Sequence, residues 1–408
     1  MKQFVDQQRA FFNTQTTKNI SFRIKQLDTL QAVLKENETL LNEAIFADFK
    51  KSEFDTYVSE LALLYSDIKE AKGNIKKWSR RKRVSTNLLN FPASSYIIPE
   101  PLGVCLVIGA WNYPYQLSFA PVVAALAAGN TVILKPSELP SKTSEVIAKL
   151  VNKNFDPNVF KVIEGSVSET TELLKQNFDK IFFTGSTKVG KIVYKAAAET
   201  LTPVTLEMGG KSPAFVTEEC NLNMAVKRMM WAKFLNAGQT CIAPDYVMVH
   251  ENVKKEFLEL AKAEIEAEHF QFENDNYVQI INNDNFERLE KMIQPNQVYY
   301  GGNMDKEKRY IQPTILQNVS FEDPVMQEEI FGPILPVIGY DNIDKAITEV
   351  RKFPKPLSCY VFTKDKKAKH KILNDISFGG GAINDAVMHI SNPKLPFGGV
   401  GQSGIGNY

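Results

Sequence analysis

Histidine and cysteine are both scarce in this chain: four of each among 408 residues. The cysteines stand at positions 105, 220, 241 and 359, without CxxC spacing and without the pattern of a disulfide framework. His250, His269, His370 and His389 are equally isolated, so the clustered ligands that a zinc site requires are missing. Long apolar runs are lacking too. The most apolar stretch, FAPVVAALAAG, is too short to span a bilayer. The opening MKQFVDQQRAFFN has no continuous apolar segment behind its charges and does not read as a signal peptide. No excess of one charge exists either. The formal net charge is +1, which gives no global field to attract nucleic acid or acidic lipid. The one local basic run, KKWSRRKRV at residues 76–84, reads as a solvated face or helix end. These absences lead to the expectation of a soluble, cytoplasmic, metal-free protein with reduced thiols.

What is present is ordinary globular material, 44% hydrophobic and 23% charged, in a chain long enough for two or three domains. Residues 1–82 read as helices; ISFRIKQLDTLQAVLKENETLLNEAIFADF repeats apolar residues at helical spacing without Pro or Gly. NLLNFPASSYIIPEP then breaks the pattern, and its SSYII predicts an extended excursion or edge strand between prolines. From Gly103 the texture alternates. VCLVIGA, NTVILK, VFKVIEG, KIFFTG and PVTLEMGG read as strands, with helical segments between them. From about residue 207 the alternation resumes with DYVMVH, ILPVIGY and LSCYVFT as strands and NLNMAVKRMMWAKFLNAG, VKKEFLELAKAEIEAEH, NIDKAITEVRKF and KKAKHKILNDI as helices. Apolar strands alternating with helices predict an α/β fold of two doubly wound parallel sheets, with ligands outside the carboxyl ends of the strands.

Two glycine-rich stretches invite a phosphate-loop reading. GVGQSG at residues 399–404 satisfies GxGxxG, but no helix follows it before Tyr408, so it reads as a surface loop. KIFFTGSTKVGK is the better candidate. A strand enters Gly185-Ser186 and a helix leaves through Gly190, so a helix N-terminus can face a phosphate; an ordinary strand-to-helix turn explains the stretch about as well. ILKPSE places Lys135 and Glu138 where the second alternating strand ends. The two can hold ribose hydroxyls or simply pair with each other.

Three further residues carry chemistry. Cys241, in NAGQTC, can be buried filler or a nucleophile, which attacks as the thiolate. No histidine lies near it in sequence. Glu207, in LEMGGKS, ends an apolar strand before Gly209-Gly210; desolvated there, a carboxylate gains a raised pKa and serves as a general base, or it is a plain cap or salt-bridge partner. Asn112, in GAWNYP, follows the first alternating strand, where its amide suits an oxyanion or an Asn turn before Pro114.

In chain order, AWNYP, ILKPSE, FFTGSTKVGK, LEMGGKSPAFV, NAGQTC, EEIFGPILPV and NPKLPFGGVGQSGIG resemble the aldehyde dehydrogenase superfamily, over roughly residues 5–408. The short N-terminal region resembles its class 3, or fatty-aldehyde and coniferyl-aldehyde, branch. The resemblance implies NAD or NADP as cofactor, a small-molecule aldehyde as substrate and a homodimer. It implies Cys241 as the catalytic thiol, Glu207 as general base and Asn112 as oxyanion donor. It further implies that Lys135 and Glu138 hold the adenosine ribose, and that Gly185, Ser186 and Gly190 form the pyrophosphate turn. Glu329 and Phe331 would meet the nicotinamide ribose, for which the residues alone offered no argument. The implied domains are 1–84 with 103–206 for NAD(P) binding, 85–102 as a bridging and oligomerisation segment, 207–390 for catalysis, and 391–408 as a return segment. Where the sequence stops, at GIGNY, the family pattern continues with another strand and a tail. The expectation is an incomplete bridging sheet, a weakened dimer and a substrate tunnel missing part of its wall. A non-catalytic nucleotide-binding protein on this fold, and a cysteine hydrolase without redox chemistry, are the competing readings.

Overall fold

The computed structural model describes residues 1–271 and 276–408, which form two compact units. The first comprises Met1–Ile45, Glu53–Phe183 and Val193–Val204. The second comprises Phe46–Ser52, Thr184–Ile192 and Thr205–Tyr408.

The first unit opens with helices, among them Lys2–Asn13, Ile20–Glu36 and Ala62–Trp78. A short antiparallel pair follows, β1 (Lys82–Val84) with β2 (Ser95–Ile97). The SSYII strand is therefore present, with β1 as a partner that the sequence pattern did not announce. The parallel strands are β3 (Val104–Ile108), β4 (Thr131–Lys135), β5 (Phe160–Val162) and β6 (Lys180–Thr184), in the order β6-β3-β4-β5. All five residues of β3 and of β4 are buried, as strands covered on both faces must be. The helix Pro114–Ala128 starts on a proline, whose missing N–H costs nothing at a first turn, and ends at Gly129 in the left-handed region (φ 88°).

The second unit takes in β7 (Val204–Glu207) from Thr205 onward, and then β8 (Pro213–Val216) and β9 (Tyr246–His250). Short strands β10 (Val298–Tyr300), β11 (Met304–Asp305), β12 (Tyr310–Ile311) and β13 (Thr314–Leu316) come next. The last are β14 (Ile334–Tyr340), β15 (Ser358–Phe362), β16 (Gly380–Ile383) and β17 (Gly404–Ile405). Seven of them form one sheet in the order β10-β13-β14-β9-β8-β15-β16, parallel except where β10 meets β13. The parallel α/β expectation thus holds, with antiparallel edges added. One of these edges involves the rejected phosphate loop. GVGQSG turns through Gly401 (φ 64°) and delivers β17 antiparallel to β7, with Gly404 opposite Glu207. Its glycines serve packing: a Cβ on Gly404 would lie 2.7 Å from the Leu206 carbonyl oxygen. Among the described residues no helix is long and apolar enough to cross a membrane, and no group of three His, Cys, Asp or Glu is placed to hold a metal ion.

Candidate active site

In the second unit the chain reaches Cys241 through a forced turn. The helix Leu222–Phe234 ends, and Asn236, Ala237 and Gly238 follow with φ of 54°, 51° and 70°. Three successive left-handed residues are costly for L side chains, so the fold must over-determine them. At Gly238 the reason is spatial as well. A Cβ there would stand 2.2 Å from the Gly332 carbonyl oxygen, so only glycine lets this loop touch the EEIFGP segment. Gln239, fully buried, fixes the next step: its amide donates to the Gln279 carbonyl (3.0 Å), and its oxygen accepts the Ile281 N–H (3.0 Å). Beyond the thiol, the Tyr360 hydroxyl donates to the Ile242 carbonyl at 2.7 Å. Gln239 and Tyr360 are anchors that sequence reading missed, since neither residue type nor spacing announces a side chain that ties down a loop from within the core.

Cys241 is partly accessible. Burial pushes its thiol up to about 12, and the Glu329 and Glu207 carboxylates push the same way. The N–H groups of Cys241 and Ile242 oppose this by donating to the sulfur. Those donors are the local means of supporting negative charge as it forms at this atom.

Glu207, the last residue of β7, is 3% exposed, and neither carboxylate oxygen has a hydrogen-bond partner among the described residues. Burial lifts its pKa to about 9. A structural carboxylate is normally paired when buried, so the capping and salt-bridge readings do not describe it. Its backbone is fixed from both sides. The Gly185 N–H donates to the Glu207 carbonyl at 3.0 Å, and the Met208 N–H donates to the Ser403 carbonyl at 3.0 Å.

Glu329 accepts from the Gly210 N–H; burial and the Asp245 carboxylate raise its pKa to about 8, against that hydrogen bond and the cations of Lys211 and Arg288. A Cβ on Gly209 would lie 2.0 Å from Glu329 Oε1, so the Gly209-Gly210 turn is moulded to this carboxylate. Phe331, two residues on, holds a left-handed φ of 47°. The second unit therefore brings together Cys241, Glu207 and Glu329, three acids whose simultaneous ionisation is disfavoured.

Gly185, Ser186 and Gly190 also fall in the second unit, at the start of the helix Thr187–Ala198. The Ser186 hydroxyl accepts the Val189 N–H at 3.4 Å. Gly185-Ser186 is thus a strand-to-helix turn with a helix N-terminus behind it, the electrostatic shape that suits a phosphate.

Asn112, Lys135 and Glu138 belong to the first unit. Asn112, 3% exposed, stands between β3 and the helix Pro114–Ala128. The start of that helix is held by a residue that sequence reading passed over. Glu60, fully buried on a π-helical turn (Tyr57–Leu61), accepts the Tyr115 N–H at 2.7 Å and the Gln116 N–H at 3.2 Å. Lys135, 2% exposed at the end of β4, has its Nζ 2.6 Å from Glu138 Oε2, while the Glu138 side chain is 43% exposed. The ion pair anticipated from the sequence exists. A buried ammonium beside a solvent-facing carboxylate also offers one donor and one acceptor at a strand's carboxyl end, a set that fits a ribose diol.

The aldehyde dehydrogenase family profile matches residues 1–408. The 4,4'-diaponeurosporen-aldehyde dehydrogenase of Staphylococcus aureus (strain NCTC 8325 / PS 47) is 48% identical over 405 residues, covering 98% of this chain and 88% of that protein. The dimeric NADP-preferring aldehyde dehydrogenase of Rattus norvegicus is 43% identical over 406 residues, covering 99% of this chain and 90% of its own. The substrate-bound Staphylococcus aureus AldH structure superposes with a TM-score of 0.97 at 46% identity, over 100% of this chain and 90% of that one.

Proposed function

The chain belongs to the aldehyde dehydrogenase family, whose members use NAD or NADP, and on that premise we propose that it oxidises an aldehyde to the carboxylic acid through a thioester on Cys241. The observation that carries this reading is the pairing of a thiol, whose sulfur accepts two backbone N–H groups, with a buried carboxylate that has no partner of its own among the described residues.

Each residue has a task that follows from its surroundings. The Cys241 sulfur gives up its proton to solvent water and, as the thiolate, adds to the aldehyde carbonyl carbon. The backbone N–H of Cys241 and the Asn112 amide donate to the oxyanion that forms, Asn112 being assigned on its AWNYP motif. NAD(P), when bound, supplies the acceptor for the aldehyde hydride, and its loss leaves an acyl group on sulfur. Glu207 takes a proton from water, which attacks the acyl carbon, and the thiol leaves with the acid released. Burial serves this role: a carboxylate lifted to about 9 is a far stronger base, once ionised, than a surface glutamate. Lys135 and Glu138 would hold the adenosine ribose, Gly185, Ser186 and Gly190 the pyrophosphate, and Glu329 with Phe331 the nicotinamide ribose. Residues 1–84 with 103–206 would form the cofactor-binding domain, 85–102 the bridging and oligomerisation segment, and 207–390 the catalytic domain. We further propose a homodimer in the cytoplasm, where the thiols stay reduced.

The deciding assay is reduced-nicotinamide formation by the purified protein, with NAD and NADP tested separately. A medium-chain aliphatic aldehyde is the first substrate. An extended polyene aldehyde is the second, because one relative is named for 4,4'-diaponeurosporen-aldehyde. Turnover that Cys241→Ala abolishes supports the proposal. Cofactor binding without turnover on any aldehyde would move the assignment to a non-catalytic nucleotide-binding protein.

A further inference from the structure

A buried ion pair in the second unit has no part in the chemistry above. Lys211 is 6% exposed and Asp245 4%. The Lys211 Nζ donates to Asp245 Oδ2 at 2.5 Å and to the carbonyl oxygens of Val325 and Glu328, each at 3.0 Å. Its three protons are thereby used. The other Asp245 oxygen, Oδ1, accepts the Ile330 N–H at 2.9 Å.

The pair therefore grips one segment at three backbone points: Val325, Glu328 and Ile330. Glu329 lies between the last two. That segment has little structure of its own, since only the helical turn Pro324–Gln327 precedes β14. Its backbone groups must find partners elsewhere. From the other direction, the Arg288 guanidinium donates to the Glu329 carbonyl (3.2 Å) and the Ile330 carbonyl (2.8 Å). The residue before Lys211 supplies the N–H that meets the Glu329 carboxylate. The residues around Lys211 thus fix both the main chain and the side chain of Glu329. A second buried amine, Lys233, faces the same carboxylates of Asp245 and Glu329.

Taking two charges out of water is expensive, and an apolar pair of similar volume often packs at lower cost. An ion pair retained here calls for a geometric reason. We propose that Lys211 and Asp245 are a positioning pair: they set where Glu329 presents its carboxylate and thereby control NAD(P) affinity, while the Cys241 loop is held by its own anchors, Gln239 and Tyr360. This rests on the assignment of Glu329 to the nicotinamide ribose made above.

Asp245→Asn tests it, because the amide keeps an acceptor for the Ile330 N–H and removes the charge that Lys211 faces. Using the full chain, NADH and NADPH binding is measured by fluorescence titration. Hydrolysis of 4-nitrophenyl acetate without cofactor reports the thiol in the same samples. We expect the NAD(P)H Kd to weaken at least about tenfold, with ester hydrolysis within about twofold of wild type. In the dehydrogenase assay KM for NAD(P) should rise and KM for aldehyde should not. Lys211→Arg keeps the charge but exchanges a compact ammonium for a planar fork, and should weaken Kd about threefold. It carries the test alone if Asp245→Asn fails to fold.

A Kd within about twofold of wild type in every variant that folds overturns the proposal. So does a parallel fall in cofactor binding and ester hydrolysis, which would mark the pair as general support for the unit. A wild-type protein that binds NAD(P)H yet oxidises no aldehyde counts against the function proposed above and leaves the Kd comparison to decide the pair. A wild type that binds neither cofactor overturns both.

Discussion

At the scale of single residues, Glu207 gives the clearest pH behaviour. Burial raises its pKa from 4.5 to about 9. Between those values the folded protein holds a proton that the unfolded chain has released, so this group costs stability as pH rises. The slope is at most about 1.4 kcal/mol per pH unit, and the loss is complete above the folded pKa. Glu207→Gln removes the titration. Its melting temperature should exceed that of wild type by a margin that widens from about pH 5 to pH 9. Its turnover should fall by at least about a hundredfold, because the amide cannot accept a proton. In wild type the Glu207-dependent step should speed up with pH until that pKa is passed. A flat pH–rate profile in wild type, or equal pH slopes of stability in the two proteins, would remove Glu207 from this role. Cys241→Ala should lower turnover at least about a thousandfold with little change in stability.

At the scale of elements, the loops around the thiol are specified by glycines that cannot be exchanged. Gly238→Ala adds a Cβ at a left-handed φ and 2.2 Å from the Gly332 carbonyl. It should cost about 2–4 kcal/mol in chemical denaturation and most of the activity, since the chain must move to accept it. Gly209→Ala is the informative contrast. The atom it meets is the end of the Glu329 side chain, 2.0 Å away, so the carboxylate is displaced while the backbone stands. Here KM for NAD(P) should rise several-fold with a small stability change. Glu60→Ala should cost about 1–2 kcal/mol by releasing two helix N-terminal donors, and should lower kcat if the same helix start orients Asn112.

Elements also show where reading the sequence succeeds and where it stops. The strands that end at Lys135, Thr184 and Glu207 were predictable because each is a short apolar run followed by Gly, Pro or a charge. β8 escaped, for PAFV opens on proline and has only four residues. β16 escaped because GGAI lacks the branched side chains by which strands are recognised. Cys241, Glu207 and Asn112 could be singled out by their chemistry. Glu60 and Lys211 could not. Their meaning lies in partners 55 and 34 residues away, and a charged residue destined for the interior looks in sequence like one destined for water. The pairing of β17 with β7 was hidden for the same reason. A glycine-rich stretch suggests a loop until the strand that accepts it is known.

At the scale of the whole molecule, the region around β1 and β2 exposes large apolar side chains. Leu88 is 91% exposed, Leu89 94% and Phe91 81%. Apolar groups clustered in this way mark an interaction surface, and a second copy of the chain is the partner that the proposed dimer supplies. Sedimentation velocity should find a species of twice 46.0 kDa at micromolar concentration. Leu89→Asp should shift it to the monomer with little change in melting temperature, because the side chain touches almost nothing within its own chain. A wild-type monomer would leave that patch without its proposed partner.

The burial of the thiols has a practical side. Burial raises the pKa of all four cysteines: Cys105 and Cys241 to about 12, Cys220 to about 11, and Cys359 higher still. Oxidants and alkylating reagents attack the thiolate, the form that burial disfavours. Ellman's reagent at pH 7.5 should therefore spare the buried Cys105 and Cys359 in the native protein, and four equivalents should react only after denaturation. The interior of the two sheets would then be where the chain is least corrodible, since Cys105 and Cys359 both sit on fully buried strands.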